Sequence, residues 1–261
     1  MISRVLGLVR EQILAWLFGT SAYAEAVSVA FLLPNLLRDM LGEGVLTAAF
    51  VPTFTDALRR RGREAAFRLA GAVLGIVALS VGALALVGIV FAPEIVDVFT
   101  RFENREGVPR SPEDIRHVTE LTILAARILF PFLPLMSLVA VVMGALNAQE
   151  RYGVPALAPA VHNVVAISGG LAVLAVGLTG RPALIAWAMT MLFAGFAQLS
   201  IQFPQLWRTG FRFQFGLGAD ERADLRRIAR LMGPATIGLA ALQVNLLART
   251  WFASQESGAL V

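Results

Sequence analysis

The chain has 261 residues, of which 57% are apolar and 15% charged, with a formal net charge of +4 and no cysteine. Apolar residues gathered into runs of about 20 exclude an ordinary soluble domain and predict an all-α polytopic membrane protein. Disulfides are excluded, and the basic residues, all arginine, lie mostly between apolar runs, where a membrane face accounts for them better than nucleic acid does.

The first predicted element runs from Met1 to Phe18, where Arg4, Arg10 and Glu11 interrupt any signal-peptide core. Arg4 and Glu11 stand about two turns apart and share a face. Phe18-Gly19-Thr20-Ser21 ends this helix, with glycine as its C-cap. The second segment, Ala22 to about Thr55, is too long for one regular span and is broken at Pro34 and at Gly42-Glu43-Gly44. Interrupted helices survive at membrane depth only where protein or water satisfies the freed backbone groups. Carrying Glu25, Asn35, Arg38 and Glu43, this segment is expected to line a cavity.

Arg59-Arg60-Arg61-Gly62-Arg63 follows as a basic loop, and a third span covers about Leu69 to Phe91. The polar stretch Glu94 to Arg116, with its prolines, reads as a loop. A fourth span, about Val118 to Leu146, is bent by Pro131 and Pro134; a fifth covers Val154 to Val176 and a sixth Ala183 to about Phe203. Trp207 to Arg230 is basic and partly amphipathic, and a seventh span runs from near Leu231 to about Ala253. The arginine excess of the second and sixth loops predicts a cytoplasmic N-terminus, with the third loop outside.

Ionisable residues inside a membrane helix cost about 2.5–3.5 kcal/mol each on insertion scales and therefore mark function. Arg38, four residues after Pro34, together with Arg4, Arg10, Glu11 and Glu25, predicts a partly balanced cationic cavity between the first two helices. The planar guanidinium suits phosphate, so a lipid-linked pyrophosphate is the natural ligand. Blander readings stand beside this one. Arg4 fits a cytoplasmic anchor, Arg10-Glu11 a local ion pair and Glu43 a turn acid. Arg127 and Arg249 can snorkel to helix ends. His117 and His162 have no metal-ligand spacing and fit packing or boundary roles. No phosphate-binding glycine loop, nucleophile elbow or zinc motif is present, so no enzyme is indicated.

Taken together, these residues resemble a known family. Ser3-Arg4-Val5-Leu6-Gly7-Leu8-Val9-Arg10-Glu11 is similar to the opening motif of the MurJ/MviN lipid II flippases. Phe18-Gly19, Glu25-Ala26, Leu33-Pro34-Asn35-Leu36-Leu37-Arg38, Gly42-Glu43-Gly44 and Ala49-Phe50-Val51-Pro52 continue it in order. Phe130-Pro131, Ala145-Leu146-Asn147, Pro155-Ala156-Leu157-Ala158-Pro159 and Gly233-Pro234-Ala235 extend it along the chain. The resemblance implies a MATE-like fold of two six-helix lobes around a cationic cavity, and alternating access that carries lipid II from the cytoplasmic to the periplasmic leaflet of the bacterial inner membrane. It places the substrate arginines at Arg4, Arg10 and Arg38, the acids at Glu11, Glu25 and Glu43, and supporting roles at Ser3, Pro34 and Asn35. It implies no metal or other cofactor, a membrane-potential or ion-gradient drive, and lipid II, membrane lipids and the cell-wall synthesis machinery as partners. Residues 1–206 would form the first lobe, 207–230 a basic cytoplasmic linker and 231–261 the start of a second lobe, so the sequence is expected to be a fragment.

Two departures matter. Leu32 stands where relatives commonly carry a basic residue, and Asp39 where they carry a second arginine. The competing expectations are a MATE-type or O-antigen-type exporter, a membrane transferase acting on lipid-linked sugars, and a non-transporting scaffold.

Overall fold

In the computed structural model, residues 2–38, 45–103, 111–216, 218–234 and 238 are described, except for the side chains of 33, 36–38 and 98–103. Among them every regular element is helical. The helices are α1 (Ile2–Phe18), α2 (Ala22–Arg38), α3 (Val45–Arg61), α4 (Arg63–Val90), α5 (Ala92–Glu103), α6 (Pro112–Leu129), α7 (Phe132–Asn147), α8 (Gly153–Val176), α9 (Gly180–Ser200), α10 (Phe203–Arg208) and α11 (219–234). Four stretches are long and apolar enough to cross a membrane: Arg63–Val90, Pro112–Asn147, Gly153–Val176 and Gly180–Arg208. The expected seventh span and the Gly42-Glu43-Gly44 break fall largely outside the described residues.

Two expected loops are helical where they are described, residues 104–110 lying outside the described residues. The basic stretch at 59–63 is not a loop, because α3 continues through Arg61 and α4 begins at Arg63. Only Gly62 separates them, at φ 88°, a backbone conformation that glycine adopts without penalty. Arginine is a good helix former, so the charge run marks where the apolar surface ends without ending the helix. The stretch 94–116 likewise contains α5 and the start of α6. Pro93 and Pro112 both sit in a first helical turn, where a missing N–H costs nothing. Ser111 caps α6, its hydroxyl accepting from the Asp114 amide at 3.1 Å. The expected bend in the fourth span is present as the break between α6 and α7 at Phe130–Pro131.

Two apolar clusters hold the bundle. One joins α3, α4 and α7 around Phe50, Phe54, Leu69, Leu133, Met136 and Leu146. The other joins α1, α2, α6, α8 and α9 and is rich in alanine: Ala26 and Ala30 of α2, Ala125 and Ala126 of α6, Ala188 and Ala194 of α9. Lipid is as apolar as leucine, so helix association in a bilayer depends on close packing, and small side chains allow the backbones to approach. Phe31 packs against both clusters. Buried hydroxyls are satisfied locally: Thr53, Thr122 and Ser137 each donate to the carbonyl four residues earlier, at 2.8–3.0 Å.

Beyond α10, residues 211–216 run without helical structure and α11 follows. Both pack on α3 and α4. Glu221 accepts from Arg68 Nε at 3.0 Å, Asp56 accepts from Arg227 Nη1 at 2.7 Å, and Arg61 pairs with Asp224. The hydrogen bond from Arg68 holds the Glu221 carboxyl below its ordinary range, although burial opposes this. The bond from Arg227 does the same for Asp56. Carboxylates depressed in this way add stability above their unfolded pKa and lose it as pH falls through the folded value.

Candidate functional site

α1 runs across α8 and presents Arg10 to a hollow also walled by α2, α7 and α9. Long helical side chains lean toward the helix N-terminus, so the Arg10 guanidinium reaches back along α1. There its Nη1 meets Asn163 Oδ1 of α8 at 3.4 Å, and its Nη2 meets Glu11 Oε1 at 2.5 Å. Asn163 also donates to the Ser3 carbonyl at 2.9 Å and lies 3.3 Å from Ser3 Oγ. One buried amide therefore ties the start of α1 and the Arg10 side chain to α8. Arg10 is 23% exposed and Glu11 56%.

Arg10 sits where two cavities meet. The first, of about 240 Å³, is lined by Arg10, Glu11, Ser28 and Asn35, with Leu14, Val27, Phe31 and Leu32 beside them and Trp187 and Met191 of α9 opposite. The second, of about 220 Å³, has Arg10 and Phe31 at one side and Phe132, Met136, Pro159, His162, Asn163 and Gln198 around the rest. Asn35 Oδ1 is buried with no hydrogen-bond partner among the described residues, an acceptor facing a polar hollow. The chemistry is mixed: one arginine, one carboxylate, three neutral amides, one imidazole, one hydroxyl, and apolar walls. Such a surface can hold an anionic group and its polar neighbours beside an apolar chain. Each cavity is smaller than the roughly 300–1,000 Å³ of a typical drug-sized pocket, so a large headgroup would need further walls. Among the described residues no three His, Asp or Glu side chains converge as a metal site requires.

The predicted site residues separate on this surface. Ser3, Arg10, Glu11 and Asn35 come together in or beside the hollow. Pro34 is buried in α2. Arg4 is exposed on α1 and lines neither cavity. Glu25 lies half-buried near the start of α2, also away from both. The Arg38 side chain and Glu43 lie outside the described residues, as does Asp39. The expected cavity between the first two helices is not what forms, because α1 packs mainly on α8 and α2 mainly on α6. The hollow consequently takes walls from α7, α8 and α9. The Arg10–Glu11 ion pair forms at the edge of the first cavity. Leu32, at the position noted as a loss of positive charge, lines the first cavity. Sequence reasoning missed Ser28, Asn163 and Gln198. Asn163 and Gln198 carried a usable signal, an amide inside an otherwise apolar run.

The fold defines a class, helical membrane proteins built on a MATE-like architecture. A MATE protein solved in complex with MaD3S superposes with a TM-score of 0.71 at 15% identity, over 94% of this chain and 52% of that one. A structure described as lipid II flippase MurJ in an inward closed conformation superposes at 0.66 with 21% identity, over 94% and 47%. Sequence narrows the class. The profile described as lipid II flippase MurJ matches residues 14–261, and the chain belongs to that family. The lipid II flippase MurJ of Burkholderia cenocepacia is 31% identical over 258 residues, 98% of this chain and 48% of the relative. The chain thus spans about half the length of the curated relatives it matches. It is a multi-pass membrane protein.

Proposed function

We propose that this chain supplies the first lobe of a flippase that moves lipid II, or a closely related lipid-linked pyrophosphate, between leaflets by alternating access. The observation that carries the reading is Arg10: a half-buried guanidinium at the junction of two cavities, in a chain of the MurJ family. Guanidinium binds pyrophosphate oxygens in pairs, the amides and hydroxyls nearby suit sugar hydroxyls, and the apolar walls suit the adjoining isoprenoid. Glu11 keeps the arginine oriented and competes with the ligand, which favours release when the lobes rock. Arg38 and Arg4 complete the cationic lining in this reading, with Glu25 and Glu43 as balancing acids. No cofactor is required; the drive is the membrane potential or an ion gradient.

The direct test uses a transporter carrying this chain as its first half, reconstituted in vesicles with a fluorescent lipid-linked pyrophosphate precursor. Transfer of label to the opposite leaflet supports the reading. Transfer or binding of cationic drugs in its place would give the role to MATE-type export, a question that fold likeness alone leaves open.

The N-terminus and the Arg-rich end of the bundle are proposed to face the cytoplasm of a bacterial inner membrane. Support comes from the packing of α11 on the end of α3, which gathers Arg59, Arg60, Arg61 and the arginines of α11 at one end of the bundle. The chain lacks cysteine, so single cysteines report topology cleanly. Cysteine at 222 should resist an impermeant thiol reagent in intact cells, while cysteine at 103 should react. Strong labelling at 222 would reverse the orientation.

A further inference from the structure

The segment after α10 makes more contact with the first lobe than a tether needs. Phe211 is fully buried, its ring edge-on to Phe67 with centroids 5.8 Å apart. The Gln214 backbone crosses directly over Gly71, where a Cβ would lie 2.5 Å from its carbonyl oxygen. One turn further along α4, the Phe215 ring fills the space above Gly75. These glycines, four apart on one face, form a groove that accepts a passing backbone and an aromatic ring. α11 then lies down with Glu221 and Ile228 buried and Leu225 and Met232 packed against the α3–α4–α7 core. The buried positions recur with helical spacing, so one whole face of α11 is committed.

Three arginine–carboxylate pairs set the register. Arg61 and Arg68 of the bundle take Asp224 and Glu221 of α11, and Asp56 of the bundle takes Arg227. The polarity of the third pair is reversed relative to the other two, so sliding α11 by one turn would break the match. Exposed pairs alone would add little. Here they flank buried apolar anchors.

We propose that residues 207–234 move as a rigid extension of the first lobe, and that the pivot for a second lobe begins at Gly233-Pro234. Pro234 cannot donate to the carbonyl four residues earlier, and the glycine before it loosens the same turn. The extension then acts as a lever, carrying any motion of the first lobe to the start of the next helix without slack. This rests on the two-lobe transport reading above.

The test exploits the absence of cysteine. Arg61→Cys with Asp224→Cys removes one charge pair together and places two thiols across the joint. A short bifunctional thiosulfonate should link them in membranes with or without lipid-linked pyrophosphate. Transport in the linked transporter should stay within about a factor of two of the unlinked one, because a rigid body tolerates an internal bridge. A loss of about tenfold or more, reversed by reduction, would show that α11 must undock and would overturn the proposal. Spin labels at 60 and 226 give a readout independent of cargo. Their separation should stay constant while a pair spanning 226 and a position beyond 250 changes. A change in the 60–226 distance would equally overturn it. Were the parent cysteine-free transporter itself inactive toward lipid II, the functional reading would fail, and the spin-label distances would still decide the lever.

Discussion

Arg10→Ala should reduce transfer of the lipid-linked precursor to near background in a transporter carrying this chain as its first half. Truncating one partner of a desolvated charged contact costs on the order of 2–5 kcal/mol, a loss of about thirtyfold to several thousandfold in binding. The arginine sits at the meeting of both cavities, so no neighbouring described cation lining them can replace it. Arg10→Lys should recover only part of the activity, because a point charge contacts one oxygen where a guanidinium fork contacts two. Membrane levels should stay near normal. The alanine variant leaves Asn163 with its bond to the Ser3 carbonyl and leaves Glu11, 56% exposed, able to take water. Arg38→Ala should behave in the same way, and Arg38→Lys should likewise rescue in part. Full transfer by Arg10→Ala, measured beside membrane abundance, would remove this residue from the phosphate site.

Gly170→Leu should damage the bundle itself. Gly170 of α8 faces both α1 and α9. A Cβ there would lie 2.6 Å from Ile13 Cγ2 and 2.7 Å from Trp187 Cζ3. Both neighbours are almost fully buried and have nowhere to retreat. Overpacking of a tight core costs about 1–3 kcal/mol, and a leucine at a triple-helix contact should reach the upper end of that range. The damage would also be functional. Pushing α1 off α8 separates Ser3 and Arg10 from Asn163, so the arginine loses its orientation as well as its support. Thermal unfolding in detergent checks the first effect, expected as a lower midpoint; Gly82→Leu, at an open position on α4, is the control and should unfold close to wild type. Equal midpoints for Gly170→Leu and wild type would show that α1 and α9 can part without cost.

Much of this protein is written along the chain. The apolar runs set the helices, since a backbone in hydrocarbon must satisfy its own hydrogen bonds. Gly19, Gly177 and the Phe130–Pro131 break mark ends and bends correctly, because each acts through its own backbone. Local chemistry also placed Arg10, Glu11 and Asn35 among the site candidates. Where the sequence misled, the cause was likewise local. Charge and proline read as loop signals at 59–63 and 94–116, yet arginine extends α3 to Arg61 and prolines stand in the first turns of α5 and α6.

The remainder required the tertiary structure. Which helices share the hollow was decided by pairing, and α1 settled on α8 instead of α2 because packed surfaces, not chain order, choose neighbours. That choice brought Asn163, 153 residues distant, to Arg10, and Gln198 to the far wall of the same hollow. The fit of Gln214 and Phe215 over Gly71 and Gly75 was also invisible in the sequence. A glycine four residues from another records room for something close, and only the folded chain supplies what fills it.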